Sequence, residues 1–258
     1  MNLMEKPLVS IILPTYNERG NIIRLINSLN SLLDIPAELL VVDDNSPDGT
    51  ADEVNKLSCQ MPNLHLILRT NERGLTSAIQ RGIDESLGEV VVWMDCDFSM
   101  PPETVVELVS QILRNQMDAA IGSKYVSEGS YEIAEGALFL TKLNTYLSLI
   151  LNWIARKIAG VEFHDWTSGF IAIRSEIIKH LRLEGEYGEY FINLMTNVIT
   201  MNLRYIEVPY IYLPRQYGNS KTTDYALRYI IRGLRYLPAV IKMGYLVRKS
   251  VRQRDLSS

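Results

Sequence analysis

Asp95 and Asp97 stand two positions apart at the end of an apolar run, Glu89-Val90-Val91-Val92-Trp93-Met94, and Phe98-Ser99-Met100-Pro101-Pro102 follows them. In extended chain the side chains at i and i+2 point to the same side, so these carboxylates share a face and Cys96 looks the other way. Like charges held together repel unless a cation lies between them. Two readings stay open from spacing alone: a divalent-cation site, or an ordinary acidic loop. A second acidic pair, Asp43-Asp44, closes the run Glu38 to Val42, and Pro14-Thr15-Tyr16-Asn17-Glu18 closes the run Leu8 to Leu13.

The elements that must position these groups are legible as alternating strands and helices. Strands are predicted at 8–13, 38–42, 64–68, 89–94 and 118–123. Between them run amphipathic helices over about 21–33, from Thr50 or Asp52 as a cap, over 75–86 and over 102–114. Such alternation with short connections argues for a mainly parallel, doubly wound α/β sheet. In these sheets ligands bind beyond the carboxyl ends of the strands, where the winding order reverses. The acidic strand ends therefore converge on one rim. No Gly-x-Gly-x-x-Gly follows the first strand, which disfavours a dinucleotide held on a glycine turn.

Composition narrows the classes further. A chain of 258 residues that is 47% apolar buries a sizeable core, as one large domain or a domain with an appendage. The histidines number three, His65, His164 and His180, in no metal-ligand spacing, and the cysteines are Cys59 and Cys96 alone. A histidine zinc site and a disulfide framework are thus excluded, and a reducing, cytoplasmic setting is expected. From Arg215 to Arg254 ten Lys and Arg stand against one acid, Asp224, while residues 1–214 carry 16 bases and 28 acids. A basic, Tyr- and Leu-rich tail on an acidic body suits an anionic surface or a solvated helix face. No nucleic-acid motif is present, so no nucleic-acid partner is expected.

Several segments in order resemble a known family. They are Pro14 to Glu18, Val42-Asp43-Asp44-Asn45-Ser46-Pro47-Asp48-Gly49-Thr50, Arg69 with Gly74-Leu75, Asp95-Cys96-Asp97, Gly122-Ser123-Lys124-Tyr125, Asp165-Trp166-Thr167-Ser168-Gly169-Phe170, Glu207-Val208-Pro209 and Arg215-Gln216-Tyr217-Gly218-Asn219-Ser220-Lys221. Together they resemble family 2 glycosyltransferases of the GT-A fold, in the dolichyl-phosphate mannose synthase branch. The resemblance implies a Rossmann-like, doubly wound mixed sheet flanked by helices. It also implies inverting transfer of a hexose, mannose from GDP-mannose, to a polyprenyl monophosphate. Glucosyl transfer from a UDP-sugar, or a non-catalytic nucleotide-sugar-binding subunit, stands as the alternative.

By that resemblance Pro14, Tyr16, Glu18, Val42 and Asp44 bind the nucleotide, with Cys96 beside them. Asp95 and Asp97 hold the donor with Mg²⁺ or Mn²⁺, hard cations that favour oxygen ligands, and Ser99 reaches the metal through water. Lys124, Arg215 and Lys221 surround the phosphates, and Asp165 lies near the sugar or acceptor. Asp97, Arg215 and Lys124 are the catalytic set. Relatives carry Arg where Lys124 stands, Gln where Ser99 stands and Glu where Asn193 stands; a further family arginine has Lys142 as its nearest substitute.

No clean spanning helix is read. Between 137 and 158, Thr141, Thr145, Ser148, Asn152 and Arg156 make a polar stripe, opposite Leu138, Leu143, Tyr146, Leu147, Leu149, Ile150, Trp153 and Ile154. That flank is either packed in a core or lies in a headgroup layer. Leu227, Ile230, Ile231 and Leu234 form a similar face flanked by Arg228, Arg232 and Arg235. The expected organisation is a GT-A catalytic domain over 1–225, with 137–158 as an interfacial helix, and a basic amphipathic segment over 226–258. Peripheral association with the cytoplasmic face of a membrane, with an integral-membrane partner, is the expected setting.

Overall fold

The computed structural model describes residues 6–132, 139–217 and 226–255. The chain opens with β1 (Val9–Thr15), α1 (Ile22–Leu32), β2 (Ala37–Asp43), α2 (Thr50–Ser58), β3 (Leu64–Leu68), α3 (Leu75–Glu85), β4 (Val90–Trp93), α4 (Pro102–Leu113) and β5 (Ala119–Ser123). It continues through β6 (Ser130–Tyr131), α5 (Phe139–Ala159), β7 (Ile171–Arg174), α6 (Ser175–Ile178), α7 (Glu189–Thr200), β8 (Tyr205–Pro209), β9 (Ile211–Tyr212) and α8 (Ala226–Asp255). The predicted elements are present to within a residue or two at their ends. The acceptor that opens α2 differs, however: Asp48 Oδ1 takes the Thr50 N–H at 3.0 Å and its hydroxyl at 2.6 Å, and the Thr50 hydroxyl in turn receives the Glu18 N–H.

Seven strands form one sheet in the order β3-β2-β1-β4-β7-β5-β8. β1 pairs in parallel with β2 on one side and β4 on the other, so the winding order reverses between β1 and β4. The mixed character comes from β7, which runs antiparallel to both β4 and β5.

The sheet is covered on both faces, which explains its continuous apolar runs. Val90 and Val92 of β4 pack with Ile11 and Leu13 against Leu25 and Leu29 of α1 and Val105, Leu108 and Ile112 of α4. Val91 and Trp93 pack on the opposite face with Ile12 and Val42, under Ile79 and Ile83 of α3 and the helices α5, α7 and α8. Each fully buried aliphatic side chain stabilises the fold by roughly 1.5–3 kcal/mol. α8 shares that second cluster through Val240, Met243 and Val247.

Candidate active site

Past Trp93 the alternation of β4 carries on without strand hydrogen bonds. Met94 and Cys96 stay in the α1/α4 core, and the Cys96 thiol donates to Pro14 O at 3.4 Å. Asp95 turns instead to the face of Trp93 and lines a cavity of about 120 Å³ with Pro14, Leu75, Ile79, Ser168, Gly169 and Tyr190. The floor is fixed by Trp93 Nε1, which donates to the Tyr190 hydroxyl at 3.0 Å. Gly169 sits at φ +70°, a left-handed turn that glycine adopts without strain, and a Cβ there would meet the Tyr190 hydroxyl at 3.4 Å.

Arg215 joins the loop after β1 to the loop after β4. Its Nη1 donates to Asp97 Oδ2 at 3.2 Å, its Nη2 to Glu18 Oε1, and its Nε to Tyr217 O at 2.8 Å. The other Asp97 oxygen accepts the Ser99 N–H at 3.0 Å and the Ser99 hydroxyl at 2.6 Å. Asn21 Nδ2 donates to Glu18 Oε2 at 3.0 Å. Among the described residues the Asp95 carboxylate makes no ion pair. Burial, then the charges of Asp97 and Glu18, push Asp95 up to about 7, against the pull of Arg215 and Lys124. Burial lowers Arg215, but its bond and charge pairing with Glu18 and the charges of Asp97 and Asp95 outweigh that and raise it.

Two further ion pairs flank this centre. Arg69 Nε donates to Asp44 Oδ1 at 2.7 Å, with Nη2 on the same oxygen, while the Gly74 N–H donates to Oδ2 at 2.8 Å. Gly74 has φ +133°, which favours glycine at this contact. Asp43 holds its own turn, accepting from Thr15 and from the Ser46 N–H and hydroxyl. On the other side the Lys124 ammonium lies 3.1 Å from Asp165 Oδ2, and both residues are buried. Glu207 of β8 accepts the N–H groups of His164 and Asp165, at 2.9 and 3.0 Å.

A family model described as Glycosyl transferase family 2 matches residues 10–182. A polyprenol monophosphomannose synthase of Mycolicibacterium smegmatis is 32% identical over 225 residues, 84% of this chain and 82% of that one. The chain belongs to glycosyl transferase family 2, in its dolichyl-phosphate mannose synthase branch. A dolichol-phosphate mannosyltransferase of Pyrococcus furiosus is 36% identical over 88% of this chain, which spans 64% of that relative's length. Among solved structures, glucosyl-3-phosphoglycerate synthase of Mycobacterium tuberculosis, in complex with Mn²⁺, UDP and glucosyl-3-phosphoglycerate, superposes with TM-score 0.65 at 18% identity, over 93% of this chain and 80% of that one. A mannosyltransferase of Pyrobaculum calidifontis, in complex with GDP-Man and Mn²⁺, does so with TM-score 0.55 at 17% identity, over 98% and 76%. These two establish the shared GT-A fold.

In this family 2 chain, Glu18, Asp95, Asp97 and Arg215 come together at the switch point, with Pro14 on the cavity wall and Lys124 paired to Asp165. Tyr16 stands beside them with the Arg73 guanidinium over its ring at 5.2 Å. Three further expected residues are buried. Val42 is fully buried in the core, Cys96 is buried in the α1/α4 core, and the buried Ser99 hydroxyl donates to Asp97. Lys221 lies outside the described residues, as does the side chain of Lys142. Asn193 donates to Glu184 O, away from the centre. Among the described residues no group of three or more His, Cys, Asp and Glu side chains is arranged to hold a metal ion.

Sequence reasoning gave no role to Arg69, Asn152 or Glu207. The Arg69 contact spans 25 positions to Asp44. Glu207 stood in one of the segments that carry the resemblance, and as a carboxylate inside the otherwise apolar run Tyr205–Pro209, but with no partner assigned.

Proposed function

We propose that the chain catalyses inverting transfer of mannose from GDP-mannose to a polyprenyl monophosphate, at the cytoplasmic face of a membrane. The observation that carries this reading is Arg215 held between Glu18 and Asp97, beside Asp95, at the switch point of a chain from this branch of family 2. A nucleoside diphosphate fits the rim where the donor motifs meet: Pro14 stands near the end of β1, Tyr16 and Glu18 follow that strand, and Asp44 follows β2. Arg69 and Gly74 each hold one oxygen of the Asp44 carboxylate, fixing it at the end of β2 as an acceptor.

A divalent cation fits the same centre. The Asp95 carboxylate, half-buried on the cavity wall and lacking an ion pair among the described residues, stands beside Asp97, and hard oxygen donors suit Mg²⁺ or Mn²⁺. Asp95 and Asp97 would hold the ion, which when bound neutralises charge on a diphosphate leaving group. Ser99 fixes the Asp97 rotamer. Arg215 and Lys124 add fixed positive charge near the phosphates, pre-organised by their carboxylate partners. The acceptor phosphate is an anion at neutral pH, so the site needs no general base to make it a nucleophile. Its oxygen bonds to the anomeric carbon as the bond to the diphosphate breaks on the opposite side, inverting that carbon.

The lipid acceptor is supported by the outer face of α5. Tyr146 and Trp153 are 64% and 63% exposed, with Leu147, Leu149 and Ile150 between them. Ile241 and Tyr245 of α8 are each 67% exposed, and α8 packs on α5 with the Arg248 guanidinium on Ile158 O and Lys157 O. No helix among the described residues is long and apolar enough to cross a membrane. The proposal is therefore a peripheral enzyme whose α5 lies in the headgroup layer, with 226–258 as its basic, amphipathic companion and an integral-membrane protein as partner. The side chains of the expected Leu227 to Leu234 face lie outside the described residues.

The test incubates the protein with Mg²⁺ or Mn²⁺, polyprenyl phosphate and labelled GDP-mannose or UDP-glucose, then extracts the lipid. Mannose in the organic phase, lost with Asp97→Ala or a chelator, is the expected result. Label from UDP-glucose alone would move the reading to glucosyl transfer, and no label from any donor would reject it.

A further inference from the structure

α5 has two faces that do different things. On the same turns that expose Tyr146, Ile150 and Trp153, Asn152 is 4% exposed and points inward. Its Oδ1 accepts the Trp166 N–H at 2.6 Å, and its Nδ2 donates to the Thr167 hydroxyl at 2.9 Å and to Ser148 O at 2.8 Å. The Ser148 hydroxyl lies 3.3 Å from that of Thr167 and accepts from Tyr125 at 3.0 Å. Thr167 closes back on Asp165, whose Oδ1 accepts both its N–H and its hydroxyl at 3.3 Å. Asp165 then holds Lys124 through the ammonium and the backbone N–H.

Each residue of the 164–167 segment is thereby clamped. Glu207, on the sheet, accepts the first two N–H groups, and Asn152, on α5, accepts the next N–H and donates to the Thr167 hydroxyl. A buried amide with both ends engaged is costly to leave half-paired, so the segment follows the helix that carries it. We propose that Asn152 is a positioning residue: through Trp166 and Thr167 it sets the Asp165–Lys124 pair, and so ties that pair to the seating of α5. The part of this inference that concerns turnover rests on the transferase reading above. It adds that docking of the outer face of α5 is felt at the site, because the opposite side of the helix is bonded to it.

The test compares the full-length protein with Asn152→Ala, Thr167→Val and the double variant, by amide hydrogen exchange and by transfer from GDP-mannose to polyprenyl phosphate in anionic vesicles. Opening of a local clamp raises exchange where the bonds are lost, so the 164–167 amides of Asn152→Ala should exchange about tenfold faster. Turnover should fall about tenfold or more, as expected for sub-ångström misplacement of a reacting-site group, while calorimetric donor affinity stays within about twofold. Vesicles should slow exchange at 164–167 in the unmodified protein and not in Asn152→Ala. Because both substitutions cut the Asn152–Thr167 link, the loss in the double variant should be smaller than the product of the two single losses.

Unchanged exchange at 164–167, an equal loss of donor affinity, or independent losses that multiply in the double variant would each overturn the proposal. Should Asn152→Ala not fold, Thr167→Val carries the same exchange and turnover readings. If the unmodified protein transfers no label, the transferase reading falls, and the exchange arm alone decides whether Asn152 positions the segment.

Discussion

Arg215 Nη1 lies 3.2 Å from Asp97 Oδ2, across 118 positions of sequence, while the same guanidinium closes on Glu18. One planar fork thus fixes the loops after β1 and β4 to each other. Arg215→Ala should lower turnover by about a hundredfold, because a fixed cation at a developing phosphate charge is lost. Arg215→Lys keeps the charge but cannot span two carboxylates, so it should recover only part of that loss. Steady-state transfer rates for the two variants check this; an equal rate for Lys and Arg would show that charge alone matters.

Asp44 and Arg69 are both buried, and the Arg69 side chain is 3% exposed. Removing Arg69 leaves Asp44 a buried, unpaired charge, and removing Asp44 leaves buried Arg69 only the exposed Glu72 at 3.5 Å, a loss of about 3–5 kcal/mol in the first case and less in the second. Asp44→Ala should therefore lower the urea midpoint as well as weaken nucleotide binding. Arg69→Met should do the same although no contact with a ligand is assigned to it. A double variant, Asp44→Asn with Arg69→Met, should be more stable than Asp44→Ala, since the poorly paired charge is gone; denaturant titration separates the two.

The outward apolar side chains offer a different test, because they hold no internal contact worth keeping. Trp153→Ser and Ile241→Ser remove large exposed groups, and surface changes of this kind usually alter stability by within about 0.5 kcal/mol. Flotation with anionic vesicles should nonetheless drop, by roughly tenfold per substitution for a buried side chain lost from the bilayer. Unaltered flotation in the double variant would place membrane contact elsewhere.

Asp118 ties β8 to the start of β5, accepting the Arg204 N–H at 2.8 Å and its guanidinium at 3.0 Å, with Arg174 nearby. Burial raises this carboxyl, but the Arg204 hydrogen bonds and the charges of Arg204 and Arg174 outweigh it and hold it below its ordinary 3.8. A depressed folded value stabilises the native state fully above the unfolded value and loses that contribution as pH falls through the folded one. Asp118→Asn should be less stable than the unmodified protein at pH 7, by about 1 kcal/mol for a largely solvated network. Urea midpoints of the two proteins should converge below about pH 4.

Much of this site could be read in advance wherever local periodicity carried the information. The alternation of Trp93 and Asp95 with Met94 and Cys96 follows the strand period, and it holds for three residues past the last ladder pair. The inward turn of Thr145, Ser148 and Asn152 likewise follows helical spacing, although only the structure shows that the polar side packs and the apolar side is left open. What stayed illegible depends on distance along the chain. The pairing of Asp44 with Arg69, the Glu207 clamp and the place of β7 between β4 and β5 each join segments that no local pattern links. For Ser99 the residue type alone suits a ligand, and the structure adds that its hydroxyl donates to Asp97, two positions away.

The reversed strand β7 has a consequence for how this fold can vary. A strand that runs against its neighbours starts at the rim where they finish, so the chain leaves that rim after Ser123 and returns to it at Ile171. Lys124, the proposed lipid-facing α5 and Asp165 all belong to that one excursion. The donor groups come instead from the exits of β1, β2 and β4. Lengthening or exchanging the excursion leaves the register of those strands untouched, so a new acceptor can be accommodated without rebuilding the nucleotide crevice.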